Sequence, residues 1–177
     1  MVGRMDFSLP QAYLTGLLVL LAGAAVVVAR QILRVRRDEA ALARLEAQGR
    51  DAESSVAELY ELGSVQLRKR LYGQATETLK RAAKRSAGEP SEAQALIENA
   101  LGFALAAQNN YNAAIRHYRA ALKAKADYPV ALNNLAFALE KQQKEDEARS
   151  TYEKVLELDS GNRTAQKRLK RLNRLAA

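Results

Sequence analysis

The chain has 177 residues and a formal net charge of +8, with no Cys, no Trp, three Pro and a single His, His117. That length holds one domain and an appendage, and the missing Cys excludes disulfides, thiolate zinc sites, iron–sulfur ligation and thiol nucleophiles. An Ala- and Leu-rich, Pro-poor composition points to helices.

The positive charge sits in two places. Arg30, Arg34, Arg36 and Arg37 follow one another with no acid between them, and Arg163, Lys167, Arg168, Lys170, Arg171 and Arg174 come after the last acid, Asp159. The rest of the chain holds 18 basic and 20 acidic residues. Neither basic segment contains an aromatic on which a base could stack, which argues against a nucleic-acid partner.

In chain order, residues 1–8 form a short N-terminal segment. Residues 9–29 read as a transmembrane helix, because Phe7 to Ala29 carries no charge and about 20 apolar residues cross a bilayer core. Ser8 is placed to cap it and Pro10 suits its first turn. A cleaved signal peptide needs a positive segment before the apolar run, but here Arg4 is offset by Asp6 and the arginines follow the run. The positive-inside rule then puts everything after the span in the cytoplasm or stroma. Ala12, Gly16 and Gly23 share one stripe, readable as a helix–helix contact or as ordinary membrane composition. Residues 30–53 read as a basic juxtamembrane stalk, with Val35, Leu42 and Leu45 too few for a coiled coil and Gly49 expected to break or loosen it.

The remainder aligns with itself. Leu62–Gly63, Leu101–Gly102 and Leu135–Ala136 correspond, as do Ala75, Ala114 and Ala148, and Leu79, Tyr118 and Tyr152. The second interval is 34 residues; the first is 39, with the insertion expected around Gly88–Glu92, where Pro90 marks a loop. This resembles the tetratricopeptide signature, W-x2-L-G-x2-Y followed by A-x3-F and a Pro, over 34 residues. Leu59, Leu132, Leu105 and Leu139 stand at its large aromatic sites, Glu98 and Gln66 depart from it there, and Ala126 and Ser160 replace the Pro. The implied architecture is all-α: three helix pairs over 54–88, 91–128 and 129–162, stacked as a solenoid, then a basic capping helix over 163–177. Gly63, Gly102 and Ala136 are expected where the two helices of a pair touch, with Tyr111 and Tyr118 supplying bulk around them. Ala165, Leu169, Leu172 and Ala176 form the buried stripe of the cap. Arg168, Arg171 and Arg174 on its other faces read first as a solvated surface, alternatively as a docking surface for a partner or anionic lipid.

"LPQAYLTGLLVLLAGAAVVVARQILRVRR", "YELGSVQLRKRLYGQATETLKRAAK" and "YPVALNNLAFALEK", taken together, resemble the membrane-anchored tetratricopeptide family of photosystem I assembly in cyanobacteria and plastids. The resemblance implies a single-pass thylakoid protein that binds photosystem I subunits or intermediates and promotes assembly or stability. A general membrane-anchored adaptor in protein export or envelope quality control is the alternative, and it would face the other side of the membrane.

No phosphate loop, nucleophile elbow, His-x-x-x-His pair or dinucleotide turn occurs, so no catalytic residue, metal or cofactor is expected and the chain should act by binding protein. His117, between Arg116 and Arg119, reads as a surface or packing residue. Helical phase places Tyr60, Ser64 and Leu67, then Asn99, Phe103 and Ala106, then Asn133, Phe137 and Glu140 on the concave side of the first helices. Aromatic rings and amides there suit a short peptide or helix. The competing expectation is that both Phe pack between repeats. Relatives that clamp a C-terminal carboxylate carry Lys and Asn where Tyr60 and Ser64 stand, which argues against that ligand.

Overall fold

The computed structural model describes residues 9–49 and 54–175. The expected Ser8 cap, residues 50–53 and Ala176 of the terminal stripe lie outside them. The chain divides into two units, Met1–Arg44 and Leu45–Ala177.

Helix α1 (Leu9–Gly49) covers both the apolar span and the basic stalk. Its membrane-like stretch, Tyr13–Arg34, has mean hydropathy 2.2 over its best window and none of that window is buried. At 1.5 Å per residue, 22 residues reach about 33 Å, enough for a hydrocarbon core of about 30 Å. The four arginines do not interrupt the helix, which ends at Gly49.

The second unit is built from helix pairs: α2 (Val56–Arg68) with α3 (Tyr72–Arg85), α4 (Ser91–Ala107) with α5 (Tyr111–Ala124), and α6 (Pro129–Lys141) with α7 (Glu145–Leu158). Each second helix also packs on the next first helix, and α8 (Arg163–Leu175) closes the series against α7. The five-residue insertion is a 3-10 turn at Ser86–Gly88, followed by Pro90 immediately before α4. Among the described residues there is no strand.

The elbow inside each pair repeats its backbone. Arg70, Asn109 and Gln143 adopt φ of 60°, 62° and 58°. In each case this residue donates to a carbonyl three residues back, and the next residue donates five back: Leu71 to Gln66, Asn110 to Leu105, Lys144 to Leu139. That is a Schellman stop, which satisfies the last carbonyls of the first helix and reverses the chain. Asn tolerates the left-handed conformation; Arg70 and Gln143 adopt it at a cost, held by the same bonds. Helix starts are capped unevenly. Ser55 and Glu58 form a reciprocal capping box on α2, while Asn110 and Asn162 accept from the backbone of Ala113 and Ala165 on α5 and α8. Hydrogen bonds donated by the Ser55 backbone N–H and hydroxyl hold the Glu58 carboxyl below its ordinary value.

Close approach inside a pair depends on missing side chains. A Cβ on Gly63 would sit 2.6 Å from Leu79 Cγ, and one on Gly102 would sit 2.7 Å from Tyr118 Cδ1 and Cε1. Leu79 and Tyr118 are fully enclosed, as are Ala75, Ala114, Ala136 and Ala148. Burial pushes the Tyr118 hydroxyl well above the ordinary tyrosine value, so it stays protonated. The cap completes the core with Ala165 and Leu172, both buried, and with Leu169 packed against them. Gln66 is the misfit. It is buried at the register where Leu105 and Leu139 stand, and its Oε1 has no hydrogen-bond partner among the described residues.

Two substitutions are therefore expected to move the thermal midpoint of the full chain in detergent in opposite directions. Gly102→Leu overpacks the second pair and should destabilise it by about 1–3 kcal/mol. Gln66→Leu removes an unsatisfied buried acceptor and should stabilise by about 1–2 kcal/mol. Far-UV circular dichroism melts check both, and an unchanged midpoint for Gly102→Leu would mean that the residue does not lie between helices.

Candidate functional site: the face of the first helices

The first helices of the pairs, and α8 after them, carry equivalent positions at shifts of 39, 34 and 34 residues. Ser64, Phe103, Phe137 and Arg171 form one row; Tyr60, Asn99, Asn133 and Lys167 a second; Leu67, Ala106, Glu140 and Arg174 a third. The rows pass from neutral to basic along the array.

The two phenylalanines differ. Phe103 is 43% exposed. Phe137 is half-buried: Tyr111 meets it edge-on at 6.5 Å, the Arg168 guanidinium lies 4.9 Å from its ring centre and the Lys141 ammonium 5.5 Å. Phe137 is thus a bracket between the second pair, the third pair and α8, held by edge-to-face and cation–π contacts. Asn99 is likewise engaged: its amide donates to the Tyr128 hydroxyl at 3.4 Å and its carbonyl accepts from Asn134 at 3.0 Å. Partial burial raises the Tyr128 hydroxyl above its ordinary value. Asn133 Oδ1 is buried with no partner among the described residues. Tyr60, Ser64 and Leu67 are all half-buried, and Tyr60 and Leu67 pack against the core.

Leu96 (41% exposed) and Val130 (54%) also belong to this face. They lie seven residues before Phe103 and Phe137 and 34 apart from each other, so the register itself marks them; sequence reasoning passed over them because it began one turn later. Elsewhere among the described residues of the second unit, Leu158 is the remaining large apolar side chain that is comparably exposed. It edges a separate hollow of about 480 Å³ with Leu122, Leu132 and Leu135.

Glu140 organises the basic end. Its carboxylate is 5% exposed, is ion-paired with Arg171, lies 3.5 Å from Arg168 Nη1 and accepts from the Tyr152 hydroxyl at 3.1 Å. Burial pushes the Tyr152 hydroxyl up to about 12, against the pull of Arg168, so it remains a donor to Glu140. Arg168 and Arg171, which keep 33% and 51% of their side-chain surface exposed, thus also tie α8 to α6, a role that spacing alone does not give because it rests on the burial of the carboxylate. Arg163, Lys167 and Arg174 have no acidic partner among the described residues, and with Thr164, Arg168 and Arg171 they line an open hollow of about 560 Å³.

His117 is half-buried, with Nδ1 2.7 Å from Glu98 Oε2. The departure of Glu98 from the repeat signature thus has a structural reason: a polar pair stands where an indole would otherwise fill. Among the described residues no three of His, Asp and Glu converge on a metal-binding arrangement.

Stacked helix pairs with this internal register define a tetratricopeptide repeat protein, and the tetratricopeptide repeat profile matches residues 105–172. The chain belongs to the ycf37 family: it is 30% identical over 165 residues to the ycf37 protein of Guillardia theta, covering 93% of each chain. It is 33% identical over 168 residues to the chloroplastic tetratricopeptide protein PYG7 of Arabidopsis thaliana, covering 94% of this chain and 56% of PYG7, so it spans little more than half of that relative. The ycf37 protein of Cyanophora paradoxa is 34% identical over 108 residues, 61% of this chain and 62% of that protein. Among solved structures, MamA superposes with TM-score 0.72 at 20% identity, covering 81% of both chains. The first tetratricopeptide domain of Spaghetti (RPAP3) superposes with TM-score 0.63 at 22% identity, covering 72% of this chain and 97% of that one. At such identities the likeness is one of fold. The chain is a tetratricopeptide repeat protein with, among the described residues, one helix of membrane-spanning length.

Glu140→Gln keeps an acceptor for Tyr152 but removes the charge that holds two guanidinium groups. Hydrogen bonds to a charged group are worth about 1.5–3 kcal/mol, so α8 should open roughly tenfold or more often. Limited trypsin digestion is expected to cut within Lys167–Arg174 correspondingly faster, with the earlier pairs melting as before.

Proposed function

We propose that this chain is a membrane-tethered adaptor whose first-helix face holds a segment of a photosystem I subunit or assembly intermediate at the thylakoid, on the cytoplasmic or stromal side. The observation that carries the binding reading is the exposure of Leu96, Phe103 and Val130 on equivalent faces of α4 and α6. Exposed apolar side chains gathered in one register are what a partner would desolvate, and Phe103 is the central ring. The same fold in the first domain of Spaghetti is solved with an HSP90 peptide bound, so the architecture accommodates a segment of protein. In this chain Tyr60 and Ser64 stand on the first pair of that face, which disfavours a carboxylate clamp there. The family membership supports the photosystem assignment, and the arginines from Arg30 to Arg37 support the orientation.

Phe103→Ala is expected to leave the melting midpoint within about 1 kcal/mol of the parent, because the ring is half in solvent, while weakening partner capture by about thirtyfold. Affinity purification from solubilised thylakoids, scored for photosystem I subunits, measures the second effect; loss of stability with unchanged capture would make Phe103 a packing residue. Protease added to sealed thylakoids with the stromal face outward should digest the repeat domain without lysis. Survival of the domain until lysis would reverse the orientation and favour the export adaptor.

A further inference from the structure

The first-helix face and the basic cap are one continuous surface, because Arg168 of α8 lies over Phe137 of α6 and Glu140 of α6 binds Arg171 of α8. From this continuity, and resting on the binding reading above, we infer that the partner segment is acidic, and that it runs from Phe103 toward the C-terminal helix with its carboxylates on Lys167 and Arg174.

The charge balance of the surface carries this. Along the three rows the residues of the first pair are Tyr60, Ser64 and Leu67, those of the second are Asn99, Phe103 and Ala106, and those of α8 are Lys167, Arg171 and Arg174. The one acid in these rows is Glu140. It is buried and already shared between two guanidinium groups and a hydroxyl, so it leaves one uncompensated charge of that cluster and repels no incoming anion. Arg163, Lys167 and Arg174 add three more cations without an acidic partner among the described residues. An α8 that served only as a solubilising cap would be expected to mix signs on its outer faces, as α7 does with Glu145, Asp146, Glu147 and Arg149. Instead all six charges of α8 are positive.

The apolar half of the surface decides against a lipid headgroup as the intended occupant. A headgroup would meet only the cations, whereas here they continue through Phe137 into a face that bears the exposed Leu96 and Phe103 on α4 and Val130 on α6. A segment of protein satisfies both halves at once, with an apolar anchor at Phe103 and acids further along. Lys170 gives an internal reference. It carries the same charge on the same helix, but it is not among the residues lining the basic hollow and stands at the register of Gly102 and Ala136.

The test uses the full chain in phosphatidylcholine nanodiscs and a fluorescein-labelled peptide of alternating Glu and Asp with one central Phe, read by anisotropy at physiological salt. A second peptide has Gln and Asn in place of the acids. The acidic peptide is expected to bind at least about tenfold tighter than its amide twin. Lys167→Glu and Arg174→Glu should each weaken it about tenfold, and Lys170→Glu by less than about twofold. Equal effects at all three positions would mean diffuse attraction and overturn the inference, as would equal affinity for the two peptides. Nanodiscs containing phosphatidylglycerol provide the lipid arm. If the anionic lipid abolishes peptide binding and shields α8 from trypsin, α8 is a membrane surface and the inference falls. If neither peptide binds while Phe103 still governs capture of thylakoid partners, the groove reading survives and only the acidic partner is refuted.

Discussion

Everything in the repeat unit depends on the contact between a first helix and its own second helix at a position with no side chain. Gly63 against Leu79 and Gly102 against Tyr118 bring the backbones close enough that a single methyl would overlap the facing residue. That proximity lets a small Ala-rich core enclose Tyr118 and Tyr152 almost fully, and it aligns the left-handed elbows at Arg70, Asn109 and Gln143. With the elbow fixed, the opposite face of each first helix has no partner within its own pair. The third pair carries a fully buried Ala136 at the equivalent position, so the position calls for a small side chain and not for glycine's conformational freedom.

The exposed face of the first helices is a by-product of that geometry, but its chemistry is set by α8. A cap is needed wherever a stack of pairs ends, because the last second helix would otherwise leave an apolar side open. Ala165, Leu169 and Leu172 meet the need here. The polar side of the same helix is turned to a further use by Glu140. Burying a carboxylate is costly unless its lone pairs are filled, and Tyr152, Arg168 and Arg171 fill them. The cap is thereby locked to α6 and not only to α7, and Arg168 is carried onto the Phe137 ring.

The fold was legible because its constraints are local and repeated. Small residues at one spacing, a polar elbow and an uncharged N-terminal run each follow from a single periodicity. The site was legible only to first order. Helical phase found Phe103 and Phe137 but treated them as equivalent, since nothing in the spacing tells that Tyr111 and Arg168 enclose one ring and leave the other open. Leu96 and Val130 were within reach of the same register and needed only one more turn of bookkeeping. Glu140 was within sight but its role was not, because a carboxylate at a groove position looks the same in sequence whether it faces water or two arginines on a helix 28 residues away. Glu98 and His117 make the same point: a departure from the signature and an isolated histidine explain each other only once they are 2.7 Å apart.

The tether changes what the groove has to achieve. In the sequence only residues 50–53 link the end of α1 to Ser54, so the repeat domain is covalently tied to α1 by a short connection. A client held at the same membrane is then met at an effective concentration far above its bulk value, which short linkages raise to the millimolar range. Under that condition a modest surface suffices: one half-exposed phenylalanine, two flanking aliphatic side chains and a few unpaired cations. Weak contacts of this kind also release quickly, because affinity differences among related interfaces lie mostly in the dissociation rate. The proposed role in assembly requires that a client be let go once the next subunit is in place. A face with a shallow apolar centre and a basic, salt-sensitive end meets that requirement better than a deep, dry groove would.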